Sequence, residues 1–101
     1  MEVKFLDAKL DRLETDPKFD GGFAQAIVRS YRKTMAFIRA APDERALWQM
    51  RSLRFEKLKG DRVGDCSLRL NDQWRLILRL EADEKATHAK VVCVVKIEDY
   101  H

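Results

Sequence analysis

The spacing of apolar residues changes once along this chain, near Leu53, from a period of three to four to a period of two. Before that point Phe23, Ile27, Tyr31, Met35 and Ile38 recur at helical spacing and define one buried stripe, which predicts a helix over about residues 23–40. After it Trp74, Leu76, Leu78 and Leu80 alternate with Arg75, Ile77 and Arg79, as a strand with one face on the core requires. Helices first and strands second imply an α+β fold, with the N-terminal helices packed on one face of a mainly antiparallel β-sheet. A chain of 101 residues has room for one core, so residues 1–101 read as a single domain.

Local signals mark the elements. Residues 3–6 suit a short edge strand, and Asp7 can cap a helix over residues 8–14 that places Leu10 and Leu13 on one face. Asp16-Pro17 and Asp20-Gly21-Gly22 punctuate the chain, and Ala41-Pro42 stops the long helix because the residue before proline disfavours helical torsions. Pro42-Asp43-Glu44 begins a shorter helix to about residue 50, with acids at the positive end of its dipole. Residues 53–58 read as a weak strand, broken at Lys59-Gly60-Asp61. A strand over 66–70 turns Leu68 and Leu70 inward and Ser67 and Arg69 outward. Asn71-Asp72 makes a tight turn into the strand at 73–81. A polar loop at 82–87 leads to a last strand over about 90–98, built on the apolar run Val91-Val92-Cys93-Val94-Val95.

The net charge of +3 is unevenly spread. Residues 51–80 hold 8 Lys/Arg against 4 Asp/Glu, or +4, whereas residues 1–50 hold 9 against 8 and residues 81–101 hold 3 against 5. A basic excess on one segment favours a polyanionic partner; a solvated, ion-paired surface is the alternative. The two cysteines, Cys66 and Cys93, match no metal-ligand spacing and read as small sheet residues; no activating cation marks Cys66 as a nucleophile. The N-terminus lacks the apolar stretch of a secretion signal and the longest wholly apolar run is too short to span a bilayer. A cytoplasmic protein without membrane contact, cofactor or metal is expected.

The last strand is followed at once by Asp99-Tyr100-His101: a carboxylate, a phenol and an imidazole. These groups can accept, donate and shuttle protons, and a sheet would hold them rigidly. An ordinary polar tail is the simpler alternative.

Three segments taken together resemble the HigB-type branch of the RelE/ParE toxin superfamily. They are Phe55-Glu56-Lys57-Leu58-Lys59-Gly60-Asp61-Arg62, Ser67-Leu68-Arg69-Leu70-Asn71-Asp72-Gln73-Trp74-Arg75-Leu76, and Ile97-Glu98-Asp99-Tyr100-His101. The likeness covers residues 51–101 by motif, and the first half only in length and helical character. It implies a RelE-like fold and the toxin of a type II toxin–antitoxin pair. It further implies a metal-independent mRNA endonuclease that works in the decoding site of the 70S ribosome's small subunit, where the RNA 2′-hydroxyl attacks the adjacent phosphate. The implied partners are the ribosome and mRNA, a HigA-type helix-turn-helix antitoxin, and operator DNA through that antitoxin alone.

The residues suit such chemistry. His101 is the expected acid or base, and a neighbouring terminal carboxylate would favour its protonated form. Tyr100 can stack on a base or hydrogen-bond the phosphate, and Asp99 can orient His101 or contact the sugar. Arg75 and Lys59 carry over from the family motif as phosphate-stabilising cations, Arg75 with a bidentate fork. For each the alternative is an exposed strand or turn cation without a role. Glu56 stands where some relatives have histidine and others glutamate; it is a candidate base, or a strand carboxylate paired with Arg54 or Lys57. Arg54, Lys57, Arg62, Arg69, Gln73 and Arg79 complete the expected RNA- and ribosome-contacting set. Trp74 reads as core. One departure from the family pattern is Cys66, where relatives often carry an aromatic residue or histidine.

Two other functions remain open on the sequence. A ParE-like member would poison DNA gyrase by protein contact. A non-catalytic module would use the same cations on nucleic acid or a partner and act in operon autoregulation.

Overall fold

A computed structural model of the chain describes residues 1–82 and 90–99. The expected loop at 82–87 beyond Ala82, together with His88, Tyr100 and His101, falls outside the described residues.

The elements follow the change of period. Strand β1 (Glu2–Phe5) leads into α1 (Ala8–Thr15), α2 (Gln25–Ala40) and α3 (Glu44–Gln49). Four strands follow: β2 (Glu56–Lys57), β3 (Asp65–Arg69), β4 (Trp74–Ala82) and β5 (Lys90–Asp99). Asp7 caps α1, its side chain accepting from the Lys9 backbone N–H at 2.9 Å, and Asp43 caps α3 through the Arg45 N–H at 3.0 Å. Asn71 Oδ1 accepts from the backbone N–H groups of Gln73 and Trp74, at 2.8 and 2.7 Å, and so closes the turn that the sequence marks without glycine.

The strand expected over 53–58 is shorter than the sequence suggests. Arg51–Leu53 forms a 3-10 turn, Arg54 takes a left-handed conformation at φ 45°, and only Glu56–Lys57 pairs with β3. Leu53 and Phe55 are both buried. Their burial comes from this turn packing on the core and not from alternation along a strand.

The sheet runs β1-β5-β4-β3-β2. β1 lies parallel to β5 and the other three pairings are antiparallel. The helices cover one face. Leu10, Leu13, Ile27, Tyr31, Met35, Ile38 and Leu47 pack there against Leu68, Leu76, Leu78, Val92 and Val94. Trp74 joins this core from the strand end, its ring edge-on to Phe23 with centroids 5.9 Å apart.

Polar side chains tie the helices together. The Tyr31 hydroxyl donates to the Leu10 carbonyl at 2.8 Å. The Arg32 guanidinium donates to the carbonyls of Leu13, Asp16 and Phe19, satisfying the exit of α1. The Met1 amino group does the same for α2, donating to the carbonyls of Ile38, Arg39 and Ala41 at 3.2, 2.9 and 2.7 Å. No helix among the described residues is long and apolar enough to cross a membrane.

Candidate active site

The face of the sheet away from the helices holds most of the candidate site, and a β-bulge decides which residues reach it. Along β4, Leu76 and Leu78 point to the core, so Arg75, Ile77 and Arg79 point away. Across from them, Leu78 pairs with Val94, yet Ile77 pairs with Lys96, so Val95 is an extra residue in β5. The extra residue shifts the phase of everything after it. Strict alternation would put Lys96 and Glu98 on the core side with Val92 and Val94. The bulge turns them outward instead, with Glu98 beside Arg75 and Lys96 beside Ile77, and brings Ile97 onto the core.

Glu98 is then met by Arg62 from the 3-10 turn Gly60–Arg62, on the loop between β2 and β3. The Arg62 Nη1 and Nη2 groups donate to the two Glu98 oxygens, each at 2.9 Å, a planar two-pronged pair. Lys96 Nζ approaches the same carboxylate at 3.0 Å. The Arg62 guanidinium, with Lys96 behind it, holds the Glu98 carboxyl below the usual range, and Glu98 in turn raises Arg62.

Around this pair lies a half-open hollow of about 150 Å³, lined by Glu56, Leu58, Arg62, Ser67, Ile77, Glu98 and Asp99. Glu56 reaches it from β2, directly opposite Ser67 of β3, and Ser67 lies opposite Ile77. Ser67 is only 2% exposed, and its hydroxyl finds no hydrogen-bond partner among the described residues. Asp99 closes the end of β5, where the Gln73 amide donates to it at 3.2 Å. Arg75 stands at the centre of the same face, between Arg69 and Glu98 in register, and is 8% exposed. It is therefore no exposed-strand arginine. The sheet buries this cation beside the hollow.

The structure thus brings together Glu56, Arg62, Asp99 and, at their flank, Arg75 and Gln73. Other expected site residues stand elsewhere. Lys59 precedes the 3-10 turn that carries Arg62 and is exposed. Lys57 points to the opposite side of the sheet from Glu56 and approaches Glu44 of α3 at 3.7 Å. Arg54 is exposed at the left-handed position. Arg69 pairs with Asp72 at the turn, and Arg79 with Asp65 at 2.6 Å, further along the sheet. Tyr100 and His101 lie outside the described residues.

These pairings temper the basic excess of residues 51–80. Lys57 and Arg62 meet Glu44 and Glu98, carboxylates outside the segment, whereas Asp72 and Asp65, the partners of Arg69 and Arg79, are already counted in its +4. The segment therefore presents a weaker positive field than its composition implies. Cys66 is buried on the core side, and burial pushes its thiol up, which agrees with its reading as a sheet residue and not a nucleophile. Among the described residues no group of three or more His, Cys, Asp or Glu is placed to hold a metal ion.

Ser67, Lys96 and Glu98 were not legible as site residues. Ser67 reads as one more outward strand residue. Lys96 and Glu98 read as in phase with the core, and no local signal in the run of valines announces the bulge.

A sequence model of RelE-like toxins of type II toxin–antitoxin systems, HigB, matches residues 3–92. The chain belongs to the HigB-like toxin family. The match takes in the helices of the first half as well as the sheet, and it ends before Ile97-Glu98-Asp99-Tyr100-His101. Membership in this family implies an antitoxin partner. Among solved structures, a YoeB/ParE toxin from Agrobacterium tumefaciens is similar over all of both chains, at 16% identity and a TM-score of 0.56. That likeness concerns the fold, and it agrees with the α+β architecture of this HigB-like toxin. No curated protein matches the chain.

Proposed function

We propose that this toxin is a ribosome-dependent mRNA endonuclease, cutting translated mRNA in the decoding site of the small subunit through attack by the RNA 2′-hydroxyl. One observation carries the reading: Glu56, Arg62 and Asp99 converge on a single hollow, with the buried Arg75 at its flank. The reaction needs a group to take the 2′ proton, cations for the charge that builds on the phosphate, and a donor for the departing 5′ oxygen.

Each need has a candidate. Glu56 is exposed on the wall of the hollow and is the proposed base. Arg75, held rigidly by the sheet, is the proposed phosphate clamp, because a preorganised guanidinium stabilises developing charge without reorganising. Asp99 reaches the hollow, and the residues that follow it in sequence, Tyr100 and His101, supply the proposed phosphate contact and the proposed acid. In the step, the 2′ oxygen bonds to phosphorus, the bond to the 5′ oxygen breaks, Glu56 takes the 2′ proton and His101 protonates the leaving oxygen. The products are a 2′,3′-cyclic phosphate and a 5′-hydroxyl. The nucleophile is the RNA's own hydroxyl, so no metal-bound water is required.

Lys59, Arg54, Arg69, Gln73 and Arg79 are proposed contacts to the RNA backbone around the site. A HigA-type helix-turn-helix antitoxin is the proposed partner, with operator DNA reached only through it, and the cytoplasm the proposed location.

Induced expression of wild type beside Arg75→Ala, Arg75→Lys, Glu56→Gln and His101→Ala tests the reading. Rapid loss of mRNA is expected, with cuts inside translated codons. It should be abolished by Arg75→Ala and His101→Ala, and strongly slowed by Glu56→Gln. Arg75→Lys keeps the charge and the burial, so partial activity there separates lost chemistry from lost folding. Growth arrest with intact mRNA and damaged DNA would overturn the proposal in favour of gyrase poisoning. Absence of toxicity would overturn it in favour of a binding module.

A further inference from the structure

A carboxylate gripped by an arginine fork and a lysine is a small-scale picture of how a protein grips a phosphate. Guanidinium matches both anions with the same two parallel N–H groups. In this toxin Glu98 and Arg62 line the hollow as anion and cation, and Lys96, beside the hollow, meets the same carboxylate. A second observation points to a ligand beyond Glu98. The Ser67 hydroxyl lies in the same hollow, is almost wholly buried, and has no hydrogen-bond partner among the described residues. A buried hydroxyl without a partner costs stability, and a site that binds an oxygen-rich anion would repay that cost.

We propose that Arg62, Lys96 and Ser67 form a binding site for an RNA phosphodiester, and that Glu98 is an internal anion that holds the site until RNA displaces it. The ligand's identity rests on the endonuclease reading above; the anion site does not. The bulge at Val95 is what makes the arrangement possible, because it swings Lys96 and Glu98 to the face of Arg62 and Ser67. When a phosphate enters, Arg62 exchanges one anion for another and Ser67 donates to a phosphate oxygen. Glu98 withdraws towards solvent, which its side chain, 24% exposed, already touches. The internal carboxylate lowers affinity for stray phosphates, so that only RNA positioned by further contacts opens the site.

Binding to a short, non-cleavable 2′-O-methyl oligoribonucleotide at low salt, read by fluorescence anisotropy, tests this. Glu98→Gln is expected to bind about tenfold more tightly than wild type, a change of about 1.4 kcal/mol. The plot of log affinity against log salt should steepen by about 0.7, the value for one further phosphate on a single strand. Glu98→Gln combined with Arg62→Ala should lose the gain, and Ser67→Ala should weaken binding in the Glu98→Gln background. Glu81→Gln, an equal change of charge at a residue paired with Lys4 at 2.5 Å, should give a much smaller gain. Unchanged or weaker binding by a cooperatively folded Glu98→Gln would overturn the proposal, as would a gain that persists without Arg62.

If Glu98→Gln does not fold, titration of wild type with the same oligoribonucleotide decides. A saturable NMR shift of the Arg62 side-chain N–H signals supports the site, and no shift at a concentration that saturates the anisotropy change overturns it. Failure of mRNA cleavage with these binding effects intact would sink the endonuclease reading alone. Flat binding with cleavage intact would sink the internal anion alone.

Discussion

Replacing Tyr31 with phenylalanine offers a test in which the structure fixes both a magnitude and its dependence on pH. Tyr31 is fully buried between α1 and the sheet, and its hydroxyl donates to the Leu10 carbonyl at 2.8 Å. Phenylalanine keeps the ring volume and leaves no large cavity, so only the hydrogen bond is lost. That bond is worth about 1 kcal/mol at pH 7, or roughly 4–8 °C in Tm for a domain of this size. The phenol is also pushed well above its ordinary value, first by burial and then by the nearby Glu14 and Asp11 carboxylates. The sign follows from proton counting. Above about pH 10 the unfolded phenol loses its proton while the folded one keeps it, so the folded state is penalised as pH rises. At pH 11 that penalty is about 1.4 kcal/mol in wild type and absent in Tyr31→Phe. Urea denaturation at pH 7, 9 and 11 should therefore show wild type ahead by about 1 kcal/mol at neutral pH, with the gap closed or slightly reversed at pH 11. A gap that does not change with pH would refute the burial of the hydroxyl. A loss above about 3 kcal/mol at pH 7 would mean that the ring itself moves, and that the α1–α2 contact is not the simple clamp described.

Three further outcomes are expected. Asp7→Ala removes the α1 cap and should cost about 1 kcal/mol in chemical denaturation, since the Lys9 N–H loses its acceptor. Gly64→Ala should cost about 1–2 kcal/mol, because Gly64 sits at φ +100° although nothing lies within 4 Å of an added Cβ; the whole cost is torsional, and Gly64→Asn should recover part of it. The lowered Glu98 carboxyl contributes stability that is present above its unfolded value near pH 4.3 and is lost as pH falls through its folded value. Solvent screening limits that contribution to no more than about 1 kcal/mol. Acid titration of stability should be shallower in Glu98→Gln than in wild type, and an unchanged acid limb would contradict the Arg62–Glu98 pair.

By itself the sequence determined the layers of this protein. The stripe of Ile27, Tyr31, Met35 and Ile38 and the alternation of Leu76 and Leu78 are local periodicities, and burial of one face of each element forces helices onto a sheet. The cap at Asp7 and the start of a helix at Pro42-Asp43-Glu44 were legible for the same reason, because such signals act over two or three residues; that Asp43 itself is the cap is seen only in the structure. The candidate site was legible only in part. Glu56, Arg62, Arg75 and Asp99 could be named from motif, but what gathers them around one hollow is strand pairing between positions far apart in the chain. Tertiary structure alone decided that β2 shrinks to two residues, that Arg75 is buried, and that Arg62 spans 36 positions to Glu98. Above all it decided the phase of β5. One unpaired residue, Val95, reverses which side every later side chain faces. No periodicity within a run of valines can signal that, because the bulge exists only against the register of β4.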